Sequence, residues 1–170
     1  NPGIAIVIDG ADAANFINDV TTLLSKVDSQ MMLTDGISKA YRVGCERMSS
    51  FDAVGQLKNA SEINRTALPQ LFVTTGKTWL TNFELSEEVF GPSGLVVKAV
   101  DFSEMMEIAT KLTGQLTCTL HMDDSDQNEA KKLLPILERK AGRILANGFS
   151  TGVEVCESMV HGGPFPASTN

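Results

Sequence analysis

A mostly parallel α/β fold is predicted by three observations. From Gln70 onward, short apolar runs recur at residues 71–74, 95–100, 116–120 and 143–146. Segments with apolar residues at helical spacing lie between the later runs, so strand and helix alternate. Alternation of this kind implies right-handed crossovers between parallel strands. The chain's 170 residues, 42% of them hydrophobic, suffice for one compact domain with a real core.

Taken in order, Ile4-Ala5-Ile6-Val7-Ile8 reads as a buried strand and Asp9 as the cap of the helix after it. In that helix Phe16, Ile17, Val20, Leu23, Leu24 and Val27 form one buried stripe. A second helix starts near Thr34, where Ile37, Ala40, Tyr41, Gly44, Cys45 and Met48 repeat the spacing and place Cys45 on the core face. Residues 51–69 are polar and weakly periodic, a surface connection with a short strand at 55–57. Beyond Val100, Asp101 and Glu104 have capping-box spacing, and Met105, Ile108, Ala109 and Leu112 face inward. Met105 and Met106 read as core filler. Ser125 is expected to cap the next helix, which buries Ala130, Leu133, Leu134, Leu137 and Ala141. Pro135 inside it predicts a kink, or a start nearer the proline.

Charge and composition narrow the function classes. A formal net charge of -7 and a pI near 4.8 repel nucleic acid and anionic membranes over most of the surface. Cys45, Cys118 and Cys156 are odd in number, well separated and without a C-x-x-C, so neither a disulfide framework nor a zinc site is indicated. Reduced thiols in a cytoplasmic protein are expected. No apolar run approaches the length of a membrane span, and no basic-then-apolar leader is recognised.

Ligands in open parallel sheets bind beyond the carboxyl ends of the strands. Two loops leave such ends, residues 83–92 and 147–166. The second contains Cys156, His161, two carboxylates, Phe165 and the run Gly162-Gly163-Pro164. Phosphate-binding glycine motifs and H-E-x-x-H are missing.

At Glu87-Glu88-Val89-Phe90-Gly91-Pro92, ahead of an apolar strand, the chain resembles the catalytic domain of aldehyde dehydrogenases. The likeness extends through Ile144-Leu145-Ala146-Asn147-Gly148 and into His161-Gly162-Gly163-Pro164-Phe165-Pro166. Together with Met32-Leu33-Thr34, Gly36-Ile37 and Ala40-Tyr41, these segments are similar to the branch of α-ketoglutaric semialdehyde (2,5-dioxovalerate) dehydrogenases and NADP-dependent fatty-aldehyde dehydrogenases.

The resemblance implies a three-layer αβα catalytic domain spanning residues 1–170, and a parent enzyme that oxidises an aldehyde with NAD or NADP. It implies that Glu88 accepts hydrogen bonds from the nicotinamide ribose hydroxyls and that Phe90 packs beside them. His161 is the candidate acid or base, and Asn147, Phe149 and Phe165 are the candidate substrate-binding residues. Asn1-Pro2-Gly3 matches the last three letters of the family's G-Q-x-C-T-N-P-G stretch, so the chain is expected to begin just after the nucleophile and to be inactive alone. The cofactor-binding domain is expected upstream, and the parent is expected to be a homo-oligomer. Each of Arg42, Arg47, Arg65 and Arg143 is a candidate anchor for a substrate carboxylate, and that none of them serves is the open alternative. Alternatives are a non-catalytic α/β interaction module, and a thiol hydrolase built on Cys156 and His161.

Overall fold

The computed structural model describes residues 3–51, 55–56, 65–149 and 162–167. The chain divides into two compact units, residues 2–101 and 102–170. The first contains β1 (Ile4–Ile8), α1 (Ala11–Leu24), β2 (Gln30–Met31), α2 (Asp35–Ser49), β3 (Gly55–Gln56), β4 (Thr66–Ala67), β5 (Gln70–Thr75), α3 (Gly76–Thr81) and β6 (Ser93–Ala99). Its four-stranded sheet has the order β1-β6-β5-β3. β6 runs parallel to both β1 and β5, and β3 is antiparallel to β5. A two-residue antiparallel ladder joins β2 to β4.

β6 is central because its side chains are apolar on both faces: Leu95, Val96, Val97 and Ala99 are all buried. β1, at one end of the order, has a single ladder partner and is only half-buried, with Ile8 exposed. The expected buried strand is therefore a half-covered one. Asp9 does not cap α1, whose N-cap is Gly10 without a side-chain bond. Its N–H instead continues the ladder to the Ala99 carbonyl at 2.7 Å, and both carboxylate oxygens lie 3.1 Å from Lys98 Nζ. The nearby ammonium outcompetes the helix end for this carboxylate. In α1, Ala13 is buried and Ile17, Val20 and Leu24 are partly so, whereas Phe16 and Leu23 of the expected stripe are exposed.

α2 follows its expected start. Thr34 is extended, and its hydroxyl accepts from the Ile37 N–H at 3.2 Å. Its buried face carries Ser38, Tyr41 and Met48.

In the second unit lie α4 (Phe102–Lys111), β7 (Gln115–Leu120), α5 (Gln127–Leu137) and β8 (Ala141–Ala146). β7 and β8 run parallel, with Gln115 opposite Ala141 and Leu120 opposite Ala146. Ala109, Leu133 and Leu137 form the core here, and Met105, Met106, Cys118, Leu120 and Ile144 pack on it. Leu134, expected inside, is 38% exposed. α5 passes through Pro135 to Leu137.

Asp123, not Ser125, caps the 3-10 turn that leads into α5. Its carboxylate accepts from the Ser125 hydroxyl at 2.6 Å and the Ser125 N–H at 2.8 Å. These bonds, the hydroxyl's foremost, hold it below the usual carboxylate range. A lowered carboxylate stabilises the fold above its ordinary titration range, and that contribution is lost only as pH falls through the depressed value.

Candidate functional site

Residues 87–92 form the irregular segment that leads into β6, with extended backbone at Glu87 and bends at Glu87, Gly91 and Pro92. The odd positions are turned to α2. The Arg47 guanidinium pairs with the Glu87 carboxylate through Nη1 and donates through Nη2 to the Glu87 carbonyl at 3.3 Å. Val89 lies over Gly44, where a Cβ would sit 2.8 Å from Val89 Cγ1. Gly91 lies on the Tyr41 ring, where a Cβ would sit 2.9 Å from Cε2. Tyr41, Gly44 and Arg47 recur every three residues and so line one side of the helix.

The segment's far end is equally pinned. Tyr41 is buried, and its hydroxyl donates to the Leu68 carbonyl at 2.8 Å and lies 3.3 Å from that of Pro92. The Pro92 carbonyl accepts from the Gln70 N–H at 2.9 Å, and the Ser93 N–H donates to Gly91 at 2.8 Å. The even positions, Glu88 and Phe90, are exposed, the Phe90 ring to 65%. Glu88 and Phe90 are thus both exposed on a segment whose residues 87, 89 and 91 are held against α2.

Sequence reasoning marked Tyr41 and Gly44 only as part of an apolar stripe and Arg47 only as a possible anion anchor. Their common role was hidden because their partners lie about 40–50 residues away in the chain. Arg47 is committed to Glu87, which removes it as a ready substrate anchor. Arg65 pairs with Asp35 and donates to the Leu33 carbonyl.

In the second unit, Asn147 follows the carboxyl end of β8 with φ of 50°, a left-handed conformation that asparagine tolerates. Its amide oxygen accepts from the Met122 N–H at 2.8 Å and its amide nitrogen donates to the Met122 carbonyl at 2.9 Å. The side chain thereby extends the β7–β8 pairing by one rung. Asp123, Asp124 and Gln127 line the same concave surface, so its carboxylates would repel an anionic ligand. Phe149 is 83% exposed, and its ring meets that of His121 at 5.8 Å.

Residues 162–167 lie at the opposite end of the same two strands. The Gly114 N–H, just before β7, donates to the Phe165 carbonyl at 3.2 Å. A Cβ on Gly142 would sit 2.8 Å from the Gly162 carbonyl carbon, and one on Gly163 would sit 3.1 Å from Gly142 N. Backbone lies directly on backbone, which only glycine permits. Strands of six residues separate Phe165 from Asn147 and Phe149 by roughly 17 Å. The three expected substrate-binding residues are therefore not gathered into one place. His161 and Cys156 lie outside the described residues.

Burial pushes the pKa of Cys118, on β7, up, a backbone bond at Thr119 opposing only in part. Because alkylation requires thiolate, its reaction with iodoacetamide is expected to be slower than in the urea-unfolded chain and to set in at higher pH. Mass spectrometry of the Cys118 peptide checks this; equal rates in the folded and unfolded chain would refute it. Among the described residues there is no His, Cys, Asp and Glu group that could hold a metal, and no helix long and apolar enough to cross a membrane.

No family model matches the chain. It is 43% identical over 172 residues to α-ketoglutaric semialdehyde dehydrogenase 2 of Azospirillum brasilense, covering 100% of this chain and 33% of that protein. Against α-ketoglutaric semialdehyde dehydrogenase of Acinetobacter baylyi it is 39% identical over 173 residues, covering 99% and 33%. The chain therefore spans about a third of the length of these curated relatives. Among solved structures it is similar to aldehyde dehydrogenase 21 of Physcomitrella patens, in complex with the reaction product succinate (TM-score 0.72, 16% identity, 95% of this chain and 33% of that one). It is also similar to succinic semialdehyde dehydrogenase of Streptococcus pyogenes with NADP+ (TM-score 0.69, 18% identity, 88% and 34%).

Proposed function

We propose, from a chain that belongs to the aldehyde dehydrogenase superfamily, that these residues form part of the catalytic domain of an enzyme oxidising α-ketoglutaric semialdehyde to the carboxylate with NAD or NADP. The observation that carries this reading is the joint exposure of Glu88 and Phe90 on a segment anchored through its other side. A carboxylate offers acceptors only, which suits a sugar diol, and an exposed ring beside it suits the flat base attached to that sugar. The pair therefore fits the nicotinamide ribose end of a dinucleotide. When bound, the nicotinamide supplies the hydride acceptor.

The chain's own residues then orient and shield. Glu88 fixes the ribose, and Phe90 covers one side of it. His161 holds or moves a proton near the reacting carbon, where a positioned acid or base is worth roughly 10²- to 10⁴-fold. Phe165 contributes apolar wall. Asn147 works by tying β7 to β8, and Phe149 sits with His121 at that same strand end. The 170 residues alone are expected to be silent, because thiolate attack on the aldehyde comes first and none of the chain's cysteines is assigned that role. A cytoplasmic, homo-oligomeric parent completes the proposal.

Reduction of NAD+ or NADP+ by the full-length enzyme with α-ketoglutaric semialdehyde, compared with a short aliphatic aldehyde, is the test. Preference for the semialdehyde is expected, and no turnover with either would refute the reading. Glu88→Gln keeps the shape but loses the charge. Its dissociation constant for the dinucleotide should rise about 10- to 100-fold, the equivalent of about 1.5–3 kcal/mol for charge-assisted bonds. Unchanged affinity would remove Glu88 from the site.

A further inference from the structure

We propose that Arg47 is a positioning residue for the dinucleotide: from α2 it holds the backbone and side chain of Glu87 so that the next residue, Glu88, and Phe90 beyond it present toward the ligand. This rests on the reading of Glu88 and Phe90 given above.

The geometry points to a specific mechanism. Arg47 uses two nitrogens of one guanidinium, Nη1 on the Glu87 carboxylate and Nη2 on the Glu87 carbonyl. The second contact matters more for orientation, because that carbonyl belongs to the peptide plane joining Glu87 to Glu88. Fixing the plane limits the rotation that carries the Glu88 side chain around. An ammonium in place of guanidinium cannot reach both oxygens with the same planar fork.

The Glu87 N–H also donates to the Glu84 carbonyl at 3.3 Å and the Val89 carbonyl accepts from the Ser93 hydroxyl at 3.3 Å, but the Arg47 contact is the side-chain hold on the peptide plane that joins Glu87 to Glu88. Val89 is seated against Gly44, but Glu88 and Phe90 are exposed, and the tyrosine anchor acts at Gly91 and Pro92. The segment is thus pinned at both ends, by Tyr41 at one and by Arg47 at the other. Arg47 is itself supported, with 27% of its side chain exposed, against 49% for Glu87. Loss of the arginine end frees the backbone at the residue whose carboxylate must meet the ribose.

The test uses the full-length enzyme and titrates NADPH and NADH by their fluorescence, with hydrogen exchange of the peptide containing residues 86–92 as a second readout. Arg47→Met should weaken dinucleotide binding about 3- to 10-fold and speed exchange in that peptide, with the aldehyde KM unmoved. Arg47→Lys should recover little of the affinity. Glu87→Gln should weaken binding less, because the carbonyl contact survives, and combining it with Arg47→Met should add nothing further. Faster exchange with unchanged affinity would overturn the positioning role, as would additive losses. If Glu88→Gln weakens binding and Arg47→Met does not, only this inference fails. If the unaltered enzyme binds neither dinucleotide, the functional reading fails and takes this inference with it.

Discussion

Replacing Gly91 with alanine is expected to destabilise the unit of residues 2–101 by about 2–4 kcal/mol, from overpacking and backbone strain acting together. The new methyl group would enter the Tyr41 ring, 2.9 Å from Cε2 and 3.0 Å from Cγ. That ring has nowhere to go. Tyr41 is 1% exposed, and its hydroxyl is held by the Leu68 carbonyl. Gly91 also has φ of 155°, which side-chain-bearing residues rarely adopt.

Urea unfolding followed by tryptophan fluorescence measures the loss cleanly. Trp79 is the chain's single tryptophan, lies in this unit and is buried, so it reports on these residues alone. Tyr41→Ala in the Gly91→Ala background should restore part of what each change costs separately, since the cavity left by one receives the methyl of the other. An unchanged urea midpoint for Gly91→Ala, or strict additivity in the double variant, would show that the ring and the glycine do not meet as described.

The second large effect is expected at Gly142→Ala, where the added Cβ meets the Gly162 carbonyl. Here the obstacle is backbone on both sides, so no side chain can rotate away. The lower-cost response is release of residues 162–167 from the β7–β8 end, which limits the loss to about 1–3 kcal/mol. Gly114 then loses its bond to Phe165, and the turn closed by Gly163 N–H to Ala167 at 2.8 Å and Ala167 N–H to Pro164 at 2.9 Å is no longer supported. Hydrogen exchange of this segment should accelerate about 10- to 100-fold, while peptides from α4 and α5 stay protected. Gly114→Ala, whose Cβ would meet the Pro164 and Phe165 carbonyls, should do the same. Retained protection of 162–167 in both variants would refute the close approach.

Much of the fold was legible locally. The run at residues 95–100 carries its own signature, because a central strand covered on both faces must be apolar at consecutive positions, and β6 is such a strand. Thr34 announced α2 because its hydroxyl meets an N–H only three residues on. Asp9 and Ser125 misled for the complementary reason. Each is a competent cap, but Asp9 is drawn to Lys98, 89 residues away, and Ser125 is outcompeted by the neighbouring Asp123. The exposed Phe16 and Leu23 could not be separated from Ile17 and Leu24 by spacing alone.

The candidate site divides along the same line. The sequence by itself placed Glu88 and Phe90 in a segment that resembles a loop of aldehyde dehydrogenases, with Gly91 and Pro92 following them into a buried strand. Only the tertiary structure decided which motif residues anchor and which are presented. The segment's own residues do not select which of its side chains face the protein. Tyr41, Gly44 and Arg47 make that selection from a helix far off in the chain. The glycines at 114, 142 and 163 follow the same logic, since their need for an absent Cβ arises where distant stretches of backbone touch.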